Sequence, residues 1–152
     1  MSALPIKIRH SGAEDVRVLL EIDQICFPAD IAFSHDEIAS YLSHAKSIAW
    51  VAERAGRILG YVMAHIEDDL FAHVITLDII PEARRQKIGT TLMNRMHKEL
   101  RQRGVNVFVL EVGVENSPAQ KLYKKLQYQY LERLSGYYHG RQDAYRMARF
   151  FR

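Results

Sequence analysis

The spacing of apolar residues changes several times along the chain, and the first part alternates a short strand with helices. PIKIRH alternates apolar and polar positions, which predicts a strand. Apolar residues at helical spacing follow as far as Cys26, with Ser11 and Glu14 at capping-box spacing before them. After FPADIAF, Ser34 and Glu37 form a second capping-box pair, which predicts another helix.

The middle of the chain has the two-residue period of a sheet. SIAWVAER and RILGYVMAHIE predict two strands, joined by a hairpin turn at Ala55 and Gly56. DDLFA is typical of a loop, and HVITLDII predicts a third strand that Pro81 ends.

The last part of the chain alternates helices and strands again. One apolar face from Ile88 to Leu100 predicts a helix, and Gly104 is placed to end it. VNVFVLEVG is typical of a strand buried in a parallel sheet. Ser117, as N-cap, begins a helix over NSPAQKLYKKL, and YQYLERL and AYRMARFF predict two strands around SGYYHGRQ.

The resulting order, β-α-α-β-β-β-α-β-α-β-β, predicts an α/β fold with a central mixed, mostly antiparallel sheet flanked by helices. The strand–helix–strand unit from His73 to Gly113 predicts a parallel crossover. The length of 152 residues predicts one domain, residues 1–152.

Composition narrows the class of protein. The chain is 48% hydrophobic and 26% charged, as globular proteins are. Its one cysteine, Cys26, excludes an internal disulfide and favours a reducing, cytoplasmic location. The sequence has no signal-peptide pattern and no apolar run long enough to span a membrane. The net charge of +3 is compatible with anionic ligands but selects none.

Several common catalytic motifs are missing from the sequence. It contains no phosphate-binding G-x-x-x-x-G-K-[ST] loop, no G-x-G-x-x-G and no G-x-S-x-G elbow. The histidines form no H-E-x-x-H and no Cys/His cluster, so we expect no metal site. Cys26 has no base near it in sequence and is interpreted as a structural thiol.

The stretch PEARRQKIGTTLM combines three cations with the start of a helix. Arg84, Arg85 and Lys87 precede Gly89, which allows a ligand to approach the backbone closely. Free amide N–H groups at a helix N-terminus bind anions, whereas cations there oppose the helix dipole. A phosphate-binding turn therefore explains the pattern better than a solvated helix start, which remains the alternative.

A second polar group lies in LEVGVENSPAQKLYKKL. Glu111 is a carboxylate late in a strand that should be buried, so it has a partner or a role, unless it points to solvent at the sheet end. Asn116 opens the next turn. Tyr123 lies on an apolar helix face, where a tyrosine is more often part of the core.

These segments together resemble the GNAT superfamily of acetyl-CoA-dependent N-acetyltransferases, over nearly the whole chain. The resemblance is carried by TLDIIPEARRQKIGTTLM, by LEVGVENSPAQKLYKKLQY and by the late GYYHGRQDAYRMAR. Within the superfamily, the chain is most similar to the protein N-terminal acetyltransferases, including the bacterial type that acetylates a ribosomal protein.

The resemblance implies acetyl-CoA as cosubstrate. Backbone amides near Gln86 to Thr90 would hold the pyrophosphate, the Ile79 amide would polarise the thioester carbonyl, and Asn116 would meet the pantetheine arm. The implied cofactor-binding residues are Leu77, Ile79, Ile80, Arg84, Arg85, Gln86, Lys87, Ile88, Gly89, Thr90, Asn116 and Tyr123.

The resemblance also implies direct transfer to an amine without a covalent enzyme intermediate. Glu111 matches a general base that acts through water, and Tyr123 matches the acid that protonates the leaving thiolate. The acceptor pocket would be built from aromatic residues of two segments, namely Phe27, Phe33, Tyr137 and Tyr138.

Three positions depart from the family pattern. Lys87 replaces the first glycine of the turn, which we expect the backbone to tolerate because helical geometry there needs no positive φ. Asp78 beside Ile79 is either an alternative base or a residue on the other side of the sheet. Gly113-Val114-Glu115 leaves the peptide specificity open.

Two other functions remain open at this point. A small-molecule acetyltransferase for a polyamine, amino acid or drug is supported by acidic Glu67, Asp68 and Asp69. A non-catalytic module that binds RNA or the ribosome would use the basic charge alone. For the leading function we expect a peptide or protein N-terminus as partner, a ribosomal protein being one candidate. We expect no membrane or specific nucleic acid as partner, and a monomer or weak homodimer.

Overall fold

The computed structural model describes residues 4–151 as one seven-stranded sheet with four α-helices. The strands are β1 Lys7–His10, β2 Ser47–Arg54, β3 Arg57–Glu67, β4 Phe71–Ile79, β5 Val107–Gly113, β6 Gln129–Tyr138 and β7 Gln142–Phe150. The helices are α1 Val16–Cys26, α2 His35–Ser43, α3 Ile88–Gln102 and α4 Ser117–Lys125, with 3₁₀ turns at Ala13–Asp15 and Pro81–Ala83.

The predicted element order and mixed, mostly antiparallel sheet are confirmed. The strands lie in the order β1-β2-β3-β4-β5-β7-β6, and only β4 and β5 pair in parallel. As the predicted crossover requires, β5 pairs in parallel with β4, and on its other edge it pairs antiparallel with β7 from Val107 to Gly113. Along β5, buried residues alternate with half-buried ones as far as Val112, so the strand is not one continuous buried run.

Helices cover both faces of the sheet. Neighbouring strand residues point to opposite faces. A Cβ on Gly89 of α3 would lie 3.5 Å from Leu77, whereas the next residue on β4, Asp78, meets Asp23 of α1. The pair α1 and α2 therefore packs on one face and α3 on the other, with the apolar core between them.

A β-bulge in β4 shapes the centre of the sheet. Met63 on β3 is opposite Thr76 and Ala64 is opposite Val74, so Ile75 is an extra residue. Bulges bend and twist a strand. The parallel pairing of β4 with β5 extends only over Ala72 and His73, and beyond the bulge the two strands separate. This separation opens a cleft in the middle of the sheet.

Two predicted helix starts were displaced by one residue. The turn before α1 is closed by Asp15 and not by Glu14, since Asp15 Oδ2 accepts from Ser11 Oγ and from the Gly12 amide. The N-cap of α4 is Asn116, whose Oδ1 accepts from the Ala119 amide at 3.2 Å, so Ser117 is the first helical residue.

Other predicted boundaries were confirmed. Ser34 and Glu37 form the reciprocal capping box of α2. Gly104 follows α3 with φ +86°, and Ala55 and Gly56 form the hairpin turn with positive φ at both residues. Two strands are longer than predicted, because β4 already begins at Phe71 in the expected loop and β6 continues to Tyr138. None of the helices within residues 4–151 is long and apolar enough to cross a membrane.

Candidate active site

The separation of β4 and β5 creates a cleft of about 800 Å³. Its walls come from the end of α1 and the loop to α2, from β4 and β5, from α4 and from the β6–β7 turn. The lining includes eight of the predicted site residues, namely Leu77, Glu111, Asn116, Tyr123, Phe27, Phe33, Tyr137 and Tyr138.

Glu111 lies on the wall that β5 provides, and its side chain is only 7% exposed. Its carboxylate accepts hydrogen bonds from Arg146 Nε at 3.1 Å and from the Tyr137 hydroxyl at 3.1 Å. Burial alone would raise the pKa of Glu111, but hydrogen bonds from His73, Arg146 and Tyr137 outweigh it and lower the pKa. Glu111 is therefore an ionised carboxylate at neutral pH.

His73 is a functional candidate that the sequence reasoning missed. Its Nε2 lies 2.5 Å from Glu111 Oε1, although the two residues are 38 positions apart. His73 does not line the cleft, and its side chain is 28% exposed. The imidazole thus lies behind Glu111, between the cleft and solvent. The sequence signal was a single histidine near the start of a strand, which has several structural explanations.

Tyr123 comes from α4 and lines the cleft together with Glu111. The tyrosine is 8% exposed, and its ring lies 5.9 Å from that of Tyr128. Burial raises the pKa of Tyr123 far above its usual value, and the nearby Asp78 raises it further. The phenol is therefore protonated over the whole working pH range and is a hydrogen-bond donor to whatever lies beside it.

The basic turn presents an uninterrupted row of free amides. Within residues 4–151, the backbone N–H groups of residues 85–90 have no hydrogen-bond acceptor, and the row ends where Thr91 N bonds to Lys87 O. Such a row at the start of α3 is an anion-binding arrangement. The side chains of residues 84–87 are exposed around it. Gly89 packs against Leu77, a residue of the cleft wall, so the turn lies next to the cleft.

The backbone of this turn differs from expectation. Arg85 and Lys87 both have positive φ, 65° and 62°, in the left-handed region. The prediction that position 87 needs no positive φ was wrong, because Lys87 is the N-cap of α3 and reverses the chain just before the helix. A glycine at this position fits the backbone without strain, whereas lysine adopts it at a cost.

The end of β4 exposes an amide toward the gap. The Ile80 amide bonds to Leu59 on β3, and amides along an antiparallel strand alternate in direction. The Ile79 amide therefore points away from β3, to the side where β5 has separated. The Ile79 carbonyl accepts hydrogen bonds from Arg84 Nε at 3.0 Å and from Cys26 Sγ at 3.4 Å. Both bonds hold the end of β4 in place.

The remaining predicted residues occupy different parts of this region. Ile80 and Ile88 are buried in the core, Gln86 Oε1 accepts from Arg54, and Thr90 lies half-buried in the first turn of α3. Asn116 lines the cleft, and because its Oδ1 caps α4, its amide nitrogen remains as a donor.

One side of the cleft is aromatic. Phe27 and Phe33 come from the loop between α1 and α2, and Tyr137 and Tyr138 come from the end of β6. The two tyrosine rings meet edge to face at 5.0 Å. An adjoining cavity of about 480 Å³ shares Glu37 with the cleft and is lined by Asp36, Glu37, Ser40, Tyr41, His44 and His65.

Other ionisable residues fit a metal or a covalent mechanism poorly. Nowhere in residues 4–151 do three or more His, Cys, Asp or Glu side chains come together as a metal site. Burial raises the pKa of Cys26, and its thiol is engaged with the Ile79 carbonyl, which disfavours a nucleophilic thiolate.

Comparison with known proteins decides the family. Residues 16–128 match the acetyltransferase (GNAT) family. The chain belongs to the GNAT family. It is an acetyl-CoA-dependent N-acetyltransferase, as the sequence resemblance implied.

Individual GNAT proteins match over most of their length. An N-alpha-acetyltransferase of Sulfurisphaera tokodaii is 30% identical over 93% of this chain and 91% of its own. The ribosomal-protein-S18-alanine N-acetyltransferase of Escherichia coli shares the fold, with a TM-score of 0.86, 24% identity and coverage of 95% and 92%. NAA60 of Arabidopsis thaliana in complex with acetyl-CoA has a TM-score of 0.85, 23% identity and coverage of 96% and 98%.

Proposed function

We propose that this GNAT enzyme acetylates the N-terminal α-amine of a peptide or protein by direct attack of that amine on acetyl-CoA. The observation that carries the proposal is the cleft itself, which brings Glu111 of β5 and Tyr123 of α4 together between an aromatic acceptor side and the free amides of the turn. The N-alpha-acetyltransferase relative supports an α-amine as acceptor.

The residues present fit acetyl-CoA. The amides of residues 85–90 supply donors for a pyrophosphate, and Arg84, Arg85 and Lys87 add positive charge. When bound, the cosubstrate supplies an activated acetyl group as a thioester. The Ile79 amide is placed to donate to the thioester carbonyl, which makes the carbon more electrophilic, and Leu77 and Asn116 line the path between the two sites.

The proposed base is Glu111, acting through water with His73 behind it. An α-amine has a pKa of about 8, so an appreciable fraction is already neutral at pH 7. Because its pKa is lowered, Glu111 is too weak a base to hold the proton. The amine proton therefore passes through Glu111 to water, while the bond from His73 Nε2 keeps the carboxylate oriented and ionised. Asp78 serves this role poorly, since it is 1% exposed and burial raises its pKa.

Tyr123 is the proposed donor to the leaving thiolate. An unperturbed thiol has a pKa of about 8.5, below that of any tyrosine, so full proton transfer from Tyr123 runs uphill in water. Inside the cleft, desolvation also raises the pKa of the thiol, which reduces the mismatch. The hydroxyl therefore stabilises the thiolate by hydrogen bonding as it forms and then gives up the proton.

The acidic residues that favoured a polyamine acceptor lie outside the cleft. Glu67, Asp68 and Asp69 lie at the turn between β3 and β4 and do not line the cleft, and Asp69 is paired with Lys46. A ribosomal protein remains one candidate substrate, because this chain shares its fold with the Escherichia coli enzyme that acetylates ribosomal protein S18. The location and the oligomeric state stay predictions.

The decisive test is a reaction of acetyl-CoA with a peptide library, analysed by mass spectrometry. Peptides with a free α-amine should gain one acetyl group, and the same peptides with a blocked N-terminus should gain none. Reaction of blocked peptides at lysine, or only of small amines, would refute the proposal.

Two variants test the assigned roles in the same assay. Glu111→Gln and Tyr123→Phe should each lower kcat by about 10²-fold or more, while the Kd for acetyl-CoA stays within about twofold. Tyr130→Phe is the matched control, because this exposed tyrosine bonds only to Gln120. Unchanged kcat in both cleft variants would refute the roles without affecting the fold.

A further inference from the structure

Two aspartates are buried against each other beside the acceptor wall. Asp23 on α1 is 0% exposed and Asp78 on β4 is 1% exposed. Their carboxyl groups face each other within hydrogen-bonding reach. Asp23 also borders the cleft. The chemistry proposed for Glu111, His73 and Tyr123 makes no use of this pair.

Each carboxyl group has one oxygen with an ordinary partner. Asp23 Oδ2 accepts from the Phe33 amide at 2.6 Å, and Asp78 Oδ1 accepts from the Thr76 hydroxyl. The other two oxygens, Asp23 Oδ1 and Asp78 Oδ2, have no donor among residues 4–151, and the buried Tyr61 hydroxyl beside Asp78 is also unpaired there. Buried polar atoms in folded proteins almost always have partners. The Tyr61 hydroxyl lies beside Asp78 and can donate to it, which still leaves Asp23 Oδ1 without a donor among residues 4–151.

A proton supplies the missing donor. Two ionised carboxylates in contact and away from water repel each other, and such pairs hold one proton between them. Burial raises the pKa of Asp78 well above its usual range, and the contact with Asp23 raises it further. A protonated Asp78 donates its Oδ2–H to Asp23 Oδ1, which joins both unpaired oxygens in one bond.

The groups around the pair do not provide a competing counter-ion. Those that face it are Cys26 from α1, Tyr61 from β3, Thr76 from β4 and Tyr123 from α4, with Arg84 reaching Cys26 from the turn. The guanidinium of Arg84 is committed to the Ile79 carbonyl. The negative charge of Asp23 and Asp78 is therefore reduced by a proton on the pair and not by Arg84.

We propose that Asp23 and Asp78 share one proton and act as a positioning pair, which fixes the acceptor wall of the cleft against β4. Asp23 accepts a hydrogen bond from the Phe33 amide, and Phe33 is part of the acceptor wall. Asp78 directly precedes Ile79, whose amide faces the thioester site. The pair thus sets the distance between acceptor and thioester, so this inference rests on the proposed function. When the proton is lost at high pH, repulsion moves the wall and weakens acceptor binding.

Infrared spectroscopy tests the shared proton without any need for activity. Wild-type protein in D₂O at neutral pH should show the C=O stretch of a protonated carboxylic acid, and Asp78→Asn should lack it. Absence of the band from the wild type, or its persistence in Asp78→Asn, would overturn the shared proton.

Steady-state kinetics test the positioning role. Asp78→Asn keeps a neutral donor for Asp23 and should retain the wild-type acceptor KM at neutral pH, whereas Asp78→Ala should raise it about tenfold with the Kd for acetyl-CoA unchanged. At high pH the acceptor KM of the wild type should rise relative to Asp78→Asn. Dividing the wild-type KM by the Asp78→Asn KM at each pH removes the effect of ionisation of the acceptor amine. A constant ratio, or an unchanged KM in Asp78→Ala, would overturn the role.

Hydrogen exchange separates failure of this inference from failure of the proposed function. If no peptide is acetylated, the proposed function fails, and exchange of the Phe33 amide still reports on the wall. The protection factor of this amide, which divides out the intrinsic pH dependence of exchange, should fall at least about tenfold in Asp78→Ala and in the wild type at high pH, but not in Asp78→Asn. Equal exchange in all three proteins would show that the pair does not hold the wall.

Discussion

His73 and Glu111 form a hydrogen bond across β4 and β5, with 2.5 Å between Nε2 and Oε1, beside the point where these strands separate. Glu111 faces the cleft, while His73 lies behind it with 28% of its side chain exposed. The two residues thus connect the cleft with solvent.

This arrangement predicts that His73 contributes to turnover. His73→Phe removes a hydrogen bond that orients Glu111 and a cause of its lowered pKa, so kcat should fall about tenfold or more. The acid limb of the pH–rate profile should move to higher pH, because Glu111 loses a partner that favours its ionised form. His10→Phe is the control, since His10 pairs with Glu99, which does not line the cleft. A wild-type profile for His73→Phe would exclude this role of His73.

The left-handed backbone at Lys87 predicts opposite effects of two substitutions. Lys87→Gly relieves strain and should leave the free energy of unfolding unchanged or raise it by up to about 1 kcal/mol. Lys87→Val removes the same charge but places a β-branched residue at positive φ, so it should cost more than about 1 kcal/mol. Urea denaturation measures both. A Lys87→Gly protein less stable than Lys87→Val would contradict the assigned backbone.

The same two variants report on the lysine charge. If the Lys87 ammonium reaches a coenzyme A phosphate, both should bind coenzyme A about two- to fivefold more weakly at low salt. The difference from wild type should shrink as salt rises. Equal affinity at low salt would make Lys87 a tolerated surface residue.

Charge in the cleft predicts a preference among acceptor peptides. No lysine or arginine of the described chain lines the cleft or its adjoining cavity, whereas Asp36 and Glu37 do line them. A peptide with arginine at its second or third position should therefore react about two- to fivefold faster in kcat/KM than its glutamate counterpart. Glu37→Gln should reduce the preference while keeping the capping box of α2. Faster reaction of the glutamate peptide would contradict this prediction.

A buried histidine predicts acid sensitivity of the fold. Burial, together with nearby Arg149, lowers the pKa of His97 to about 3. The unfolded chain protonates this histidine below about pH 6.5, so between these values the unfolded state binds more protons and stability falls as pH falls. The free energy of unfolding, measured from pH 8 to pH 4, should depend less on pH in His97→Phe than in the wild type. The exposed His35→Phe should retain the wild-type dependence, and equal slopes for His97→Phe would refute the assignment.

Local patterns in the sequence were enough to predict the element order and eight residues of the cleft lining. Apolar spacing is a local signal, and it was enough to place every strand and helix in order. Phe27, Phe33, Tyr137 and Tyr138 were predicted from two distant segments, and all four border one cleft. Boundaries were less exact, because Asp15 and Asn116 compete with their neighbours as capping residues within a single turn.

Only the tertiary structure decided which polar groups meet. The bulge at Ile75 separates β4 from β5. It arises from the pairing of β4 with β3, so no pattern within β4 alone predicts it. His73 meets Glu111 and Asp23 meets Asp78 because neighbouring strands and a packed helix bring distant residues together. The positive φ of Lys87 likewise follows from the direction in which α3 must leave the sheet. Sequence spacing records what lies along one element, whereas the chemistry of this cleft arises between elements.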